Sequence, residues 1–125
     1  MYFDRETVMA LMFLRSLHTD RRVASHTWAK EQGMSPVYMG QIAARLRAKG
    51  LFFSHEVRSR GAVRHRRWRE LTLYDVILAV KGEVAIYDKA DSWTLLQQQK
   101  MLDYCKTIKV YDENENANDI KGWKI

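Results

Sequence analysis

At 125 residues, with 21 Lys and Arg against 15 Asp and Glu, the chain carries a net charge of +6 and suffices for one domain with a modest core. Its single cysteine, Cys105, excludes an intrachain disulfide and any all-cysteine metal site within one chain. No apolar run approaches the roughly 18 residues a membrane helix needs, and residues 1–20 carry Asp4, Glu6 and Asp20 without a signal-peptide pattern, so the expected location is cytoplasmic.

The charge is unevenly spread. Residues 1–69 hold fourteen basic and five acidic residues, a balance of +9, and residues 70–125 hold seven and ten, a balance of −3. A basic front with a mildly acidic back suits one face for an anionic polymer and another for something else.

Asp4 is placed to cap a first helix running to about Leu17, with Val8, Leu11, Met12 and Leu14 as an apolar stripe at helical spacing. His18 to Val23 breaks the pattern and predicts a short loop. Ser25 can cap a second helix, through Trp28 and Ala29, that stops at Gly33. Ser35 caps a third, with Pro36 at the first helical position, where a missing amide costs nothing, and this helix continues through Ile42 and Leu46 to Gly50. Helix, short glycine-containing turn, helix is the helix-turn-helix pattern.

Leu51 to Val57 predicts a strand, Arg58 to Gly61 a turn and Ala62 to Leu71 a second strand, giving a β-hairpin. Its tip and return arm hold Arg58, Arg60, Arg64, Arg66, Arg67 and Arg69, with His65 and no acid. A hairpin directly after a helix-turn-helix is a wing. Thr72, followed by Asp75 in an acidic variant of the capping box, starts a short helix that Gly82 ends. Residues 83–91 read as a linker, after which Ser92 can cap a long last helix from Trp93 to about Val110. Trp93, Leu96, Met101, Tyr104 and Ile108 lie near one face of that helix, and Leu95, Leu102 and Cys105 near another. Two apolar strips imply two partners, the body of its own domain and a second subunit. The acidic stretch DENENAND places residues 111–125 in a flexible tail. The expected fold is mainly α with a small β-hairpin: a winged helix-turn-helix domain over residues 1–82, a linker over 83–91 and a long C-terminal dimerisation helix over 92–110.

Chemistry concentrates in the third helix and the wing. The first turns of a recognition helix normally enter the major groove, which makes Ser35, Pro36, Val37, Tyr38 and Gln41 candidate DNA contacts. Gln41 has the geometry to pair with adenine, Tyr38 can meet a phosphate or a thymine methyl, and Ser35 can place a phosphate at the positive helix end. Arg45 is the next exposed position along from Gln41. Arginines in a minor groove read width and negative potential, and Arg58, Arg60, Arg64 and Arg66 are the wing candidates. Met39, Ile42 and Leu46 are expected in the core, as are Trp28 and Trp68 in core or hairpin packing. The four histidines lack ligand spacing, so no metal site is expected. No paired carboxylates, nucleophile constellation or phosphate loop is present, and neither an enzyme nor a cofactor is expected.

The series SPVYMGQI (Ser35 to Ile42), then Arg45-Leu46, then Lys49-Gly50-Leu51, resembles the recognition helix of the Rrf2-type winged helix regulators. LTLYDVILAVKGEV, Leu71 to Val84, resembles the helix that follows the wing in that family, and the likeness extends over roughly residues 1–110. The resemblance implies a homodimeric bacterial transcription regulator whose long C-terminal helix builds the dimer. Several members hold an iron–sulfur cluster through three cysteines between the post-wing helix and the long helix. Here the corresponding stretch, EVAIYDKAD, has no cysteine, and the glycine-rich wing of the family is replaced by RGAVRHRRW, which keeps only Gly61.

The expected function is a sequence-specific transcriptional regulator, a repressor or autorepressor, binding double-stranded DNA as a homodimer on a pseudo-palindromic operator without an iron–sulfur cluster. Two alternatives stay open: an architectural or accessory DNA-binding protein of a mobile element, and a winged helix protein-interaction module.

Overall fold

The first helix begins where Asp4 caps it. The Asp4 carboxylate accepts from the Thr7 amide at 2.9 Å, and α1 runs Arg5–Arg15. The computed structural model describes residues 4–17, 23–54, 62–65, 67–83 and 86–111. Its further elements are α2 (Ser25–Glu31), α3 (Pro36–Ala48), β1 (Phe52–Ser54), β2 (Ala62–Arg64), α4 (Leu73–Lys81) and α5 (Ser92–Cys105), with a 3-10 turn at Trp68–Glu70. The architecture is a winged helix: α2 and α3 form the helix-turn-helix, α1 and α4 close over its inner side, and β1 and β2 pair antiparallel as the wing base. The hairpin register is Phe52↔Arg64, Phe53↔Val63, Ser54↔Ala62.

The core is centred on α1 and α3. Phe13 is fully buried and meets Trp28 of α2 and Phe52 of β1 edge-on, each at 5.5 Å between ring centroids. Such pairs add about 0.5–1.5 kcal/mol beyond the area they bury. Met39, Ile42 and Leu46 bury the inner face of α3, as their spacing predicts. Gly33 turns the chain between α2 and α3 at φ 73, a left-handed conformation that a β-carbon disfavours. Gly82 ends α4 at φ 84, in the same region. The capping box of α4 is closed: Thr72 Oγ1 accepts from the Asp75 amide at 3.4 Å, and Asp75 accepts from the Thr72 amide at 2.9 Å. A smaller apolar cluster of Leu73, Ile77 and Cys105 joins α4 to α5.

The structure corrects several expectations. On α1 the buried apolar residues are Met9, Ala10, Phe13 and Leu14, whereas Val8 and Met12 are more than a third exposed. The true stripe is rotated because α1 presents its Phe13 side to both α2 and β1. Ser25 is the first residue of α2 and Ala24 its cap, so the Ser25 hydroxyl lies inside the helix and makes no capping bond. The returning wing arm leaves strand conformation before Leu71. The Arg67 amide donates to His65 Nδ1 at 2.9 Å and the Trp68 amide to the His65 carbonyl at 3.1 Å, local bonds that curl the chain into the 3-10 turn.

The last helix ends at Cys105, not Val110. Residues beyond it turn back and bridge to the start of α4: Leu73 donates to the Ile108 carbonyl at 2.8 Å and Val110 to the Leu71 carbonyl at 3.0 Å. Ile108 thereby packs against the Leu73–Ile77–Cys105 cluster of its own chain. Tyr111, expected in the flexible tail, is buried, and its hydroxyl donates to the Leu14 carbonyl at 2.5 Å. Arg15 donates to the Val110 carbonyl. Among the described residues no helix is long and apolar enough to cross a membrane. Residues 18–22 of the predicted loop, residues 55–57 of the first predicted strand, the predicted turn at 58–61 and the tail from 112 lie outside the described residues.

The Tyr111 anchor yields a stability test. Tyr111→Ala should cost about 3–5 kcal/mol through the cavity it leaves. Tyr111→Phe, which removes only the hydroxyl, should cost about 1 kcal/mol. Urea unfolding midpoints check both.

Candidate nucleic-acid interface

Helical geometry divides α3 into an inner and an outer side. With Met39, Ile42, Ala43 and Leu46 turned inward, the opposite line along the helix is Val37, Gln41, Ala44 and Ala48. All four of these are exposed, Val37 by 74%. The Ser35 hydroxyl caps the helix, accepting from the Tyr38 amide at 3.2 Å, and Pro36 occupies the first helical position. The end of α3 that carries the positive pole of the helix dipole is therefore exposed at Ser35 and Val37.

Tyr38 and Arg45, two turns apart, lie on the flank of α3 that faces α1. The Arg45 guanidinium donates to Glu6 Oε2 at 2.8 Å and to the Val80 carbonyl at 3.3 Å. The Arg5 guanidinium sits over the Tyr38 ring at 5.3 Å. Lys81, at the end of α4, pairs with Asp4 and stands 3.6 Å from Glu6 Oε2. These contacts shift the titrations. The Arg45 hydrogen bond outweighs partial burial, and with Lys81 and Tyr38 it holds the Glu6 carboxyl below its ordinary value. Burial pushes the Asp4 carboxyl up, but the Lys81 and Thr7 hydrogen bonds more than offset it, so it too is lowered. Burial, then the Glu6 hydrogen bond, raises the Tyr38 hydroxyl.

At the wing base, Arg64 and Arg69 place their guanidinium groups over the Trp68 indole at 4.0 and 4.2 Å from its centroid. Trp68 also meets Tyr111 edge-on at 5.8 Å, and His65 stacks on Phe53 at 5.1 Å. Arg67 pairs with Glu70 at 2.6 Å.

The structure thus brings Ser35, Pro36, Val37 and Gln41 together at the open end of α3. It places Tyr38 and Arg45 beside them in a network with α1, and Arg64 over the wing-base indole. Arg58, Arg60 and Arg66 lie outside the described residues. On α5, Trp93, Leu96, Met101 and Tyr104 are exposed, Trp93 by 71% and Tyr104 by 67%, while Leu102 and Cys105 face inward. Sequence reasoning missed Glu6 and Lys81. Their partners lie 39 residues apart for Glu6–Arg45, and no local spacing signals such a pair. It also passed over Ala44 and Ala48, which the 3.6-residue period from Val37 and Gln41 identifies.

A family model described as Rrf2, iron-dependent transcriptional regulator, matches residues 4–117. Among solved structures the chain is similar to CymR of B. subtilis, titled the global cysteine regulator, at 15% identity and TM-score 0.73, covering 97% of this chain and 96% of that one. The oxidized form of Staphylococcus aureus CymR is 20% identical, with TM-score 0.70 over 88% of this chain and 93% of that one. T. potens IscR is also 20% identical, with TM-score 0.67 over 98% and 87%. No curated protein sequence matches the chain.

The iron of that family description needs side-chain donors, and those among the described residues do not fit it. Cys105 is the one cysteine, buried at the end of α5, where burial pushes its thiol up and away from the thiolate a metal requires. Among the described residues no group of three or more His, Cys, Asp or Glu side chains could hold a metal ion.

Acid titration tests the α1–α3–α4 network. Asp4 and Glu6 have folded-state values below their ordinary 3.8 and 4.5, so the stability they contribute is present above that range and lost as pH falls through it. The melting temperature should drop between about pH 5 and pH 3, and Glu6→Gln should shrink the drop by about 1–4 °C.

Proposed function

The chain belongs to the Rrf2 family of transcriptional regulators, and from that premise we propose that it is a sequence-specific DNA-binding regulator acting as a homodimer on a pseudo-palindromic operator, with no iron–sulfur cluster. The observation that carries the proposal is the one-sidedness of α3, whose inner face is locked in the core while Ser35, Val37 and Gln41 stand open at its N-terminal end. Gly40, Ala44 and Ala48 add no bulk to the outer side, so a duplex edge can come close to the helix. Gln41 supplies a bidentate partner for adenine, and Val37 an apolar contact for a thymine methyl. The arginines of residues 58–69 supply phosphate and minor-groove contacts around it.

The exposed strip Trp93, Leu96, Met101 and Tyr104 supports a second subunit as partner, because large apolar side chains lined along one helix face are costly in water. A two-fold dimer then presents two α3 helices to half-sites one helical turn apart, or a multiple of it. Occupying such an operator blocks polymerase, which makes repression, including that of its own promoter, the mode of action. The protein works where bacterial DNA lies, in the cytoplasm.

Titration against the DNA upstream of its own gene, at several salt concentrations, tests this function. Binding should be preferred over random DNA, with log affinity falling linearly in log salt at about −0.9 per neutralised phosphate. Gln41→Ala should remove about 1–3 kcal/mol of discrimination at one base pair. Arg58→Ala or Arg60→Ala should weaken binding to all sequences alike, each lowering the slope by about one phosphate. No preference over random DNA, even at low salt, would sink the proposal. Trp93→Glu with Tyr104→Glu should leave monomers in sedimentation.

A further inference from the structure

An arginine on the flank of a DNA-facing helix is by default a sequence-blind phosphate ligand, because phosphates repeat along every duplex. Arg45 has that position but not that freedom. Its Nη1 donates to Glu6 Oε2 at 2.8 Å and to the Val80 carbonyl at 3.3 Å. The same carboxylate is steadied by Lys81 at 3.6 Å. Glu6 thus holds Arg45 on the α1-facing flank, leaving the outer line of Val37 and Gln41 to meet a partner. A phosphate competing for Arg45 Nη1 must displace a carboxylate already in contact, and one approaching the other donors meets its negative charge. Both effects weigh equally on every sequence, so they lower affinity for operator and random DNA alike and leave discrimination to the base contacts.

We propose that Glu6 is a positioning residue: it withholds Arg45 from DNA phosphates, so that affinity for any duplex is held down and discrimination rests on Val37 and Gln41. This rests on the reading of α3 as the DNA-contacting helix.

The test measures affinity for operator and random DNA across a salt series, with melting temperatures alongside. Glu6→Gln should steepen the salt slope by about 0.9, one added phosphate, which raises affinity for random DNA about eightfold at 0.1 M salt. The operator-to-random ratio should stay that of the unaltered protein, since a phosphate contact strengthens both complexes alike. Combining Glu6→Gln with Arg45→Gln should return the slope to that of the unaltered protein. A slope unchanged in folded Glu6→Gln protein overturns the proposal, as does a steeper slope that survives Arg45→Gln. An independent measurement uses the unaltered protein: Arg45 side-chain NMR signals should keep their positions when random DNA is added, and their movement would also overturn it. If the unaltered protein binds no DNA at any salt, the reading of α3 fails with it. If it binds and the slope is indifferent to Glu6, only the role of Glu6 fails.

Discussion

The constraint on which the molecule depends is that α3 must be gripped along one side so that the other can stay bare. Met39, Ile42 and Leu46 are almost wholly removed from water, and each such side chain contributes about 1.5–3 kcal/mol by burial. What receives them is built around Phe13, whose ring braces α1 against Trp28 of α2 and Phe52 of β1. One aromatic therefore sets the separation of α1, the helix-turn-helix and the wing base. Because the interior is close-packed, α3 cannot roll about its axis without moving these rings, and the outer line from Val37 to Ala48 keeps its direction.

Electrostatics complete the grip at the edge of the core. Asp4 and Glu6 stand at the N-terminal end of α1, where a helix favours anions, and Lys81 at the C-terminal end of α4, where it favours cations. Folding brings these two ends together beside α3. Each charge is thus matched twice, by its own helix dipole and by its opposite across the contact. Pairs this exposed contribute at most about 1 kcal/mol each, so their effect is one of placement more than of stability. They hold Arg45 against α1.

Local chemistry was legible in the sequence and long-range closure was not. Asp4, Ser35 and the Thr72–Asp75 box cap their helices because a cap needs only residues three apart. The outer residues of α3 follow from helical spacing once Ile42 and Leu46 are assigned to the core. The end of α5 was misjudged because residues 106–111 contain no glycine or proline to stop a helix. What stops it is tertiary: Val110 and Tyr111 are bound by Arg15 and Leu14, 95 and 97 residues away. The α1 stripe was misplaced for a related reason, since Val8 and Met12 fit the helical period as well as Met9 and Phe13 do, and only the neighbours decide. In the site itself, Gln41 and Val37 were visible but the tie from Arg45 to Glu6 was not.

The wing base shows how an aromatic face can help to order arginines that stand close together in the chain. Arg64 and Arg69 lie over Trp68, and Trp68 rests on Tyr111, itself anchored to α1. A guanidinium on an aromatic face keeps its charge and its edge donors while losing rotamer freedom. Immobilising such a side chain at an interface costs about 0.5–1.5 kcal/mol when it is free beforehand. At Arg64 and Arg69 folding has already met part of that cost. Arg45 is held instead by the Glu6 carboxylate, a contact that contributes at most about 1 kcal/mol at this exposure. A ring face and a carboxylate thus order arginines of the same chain in two different ways.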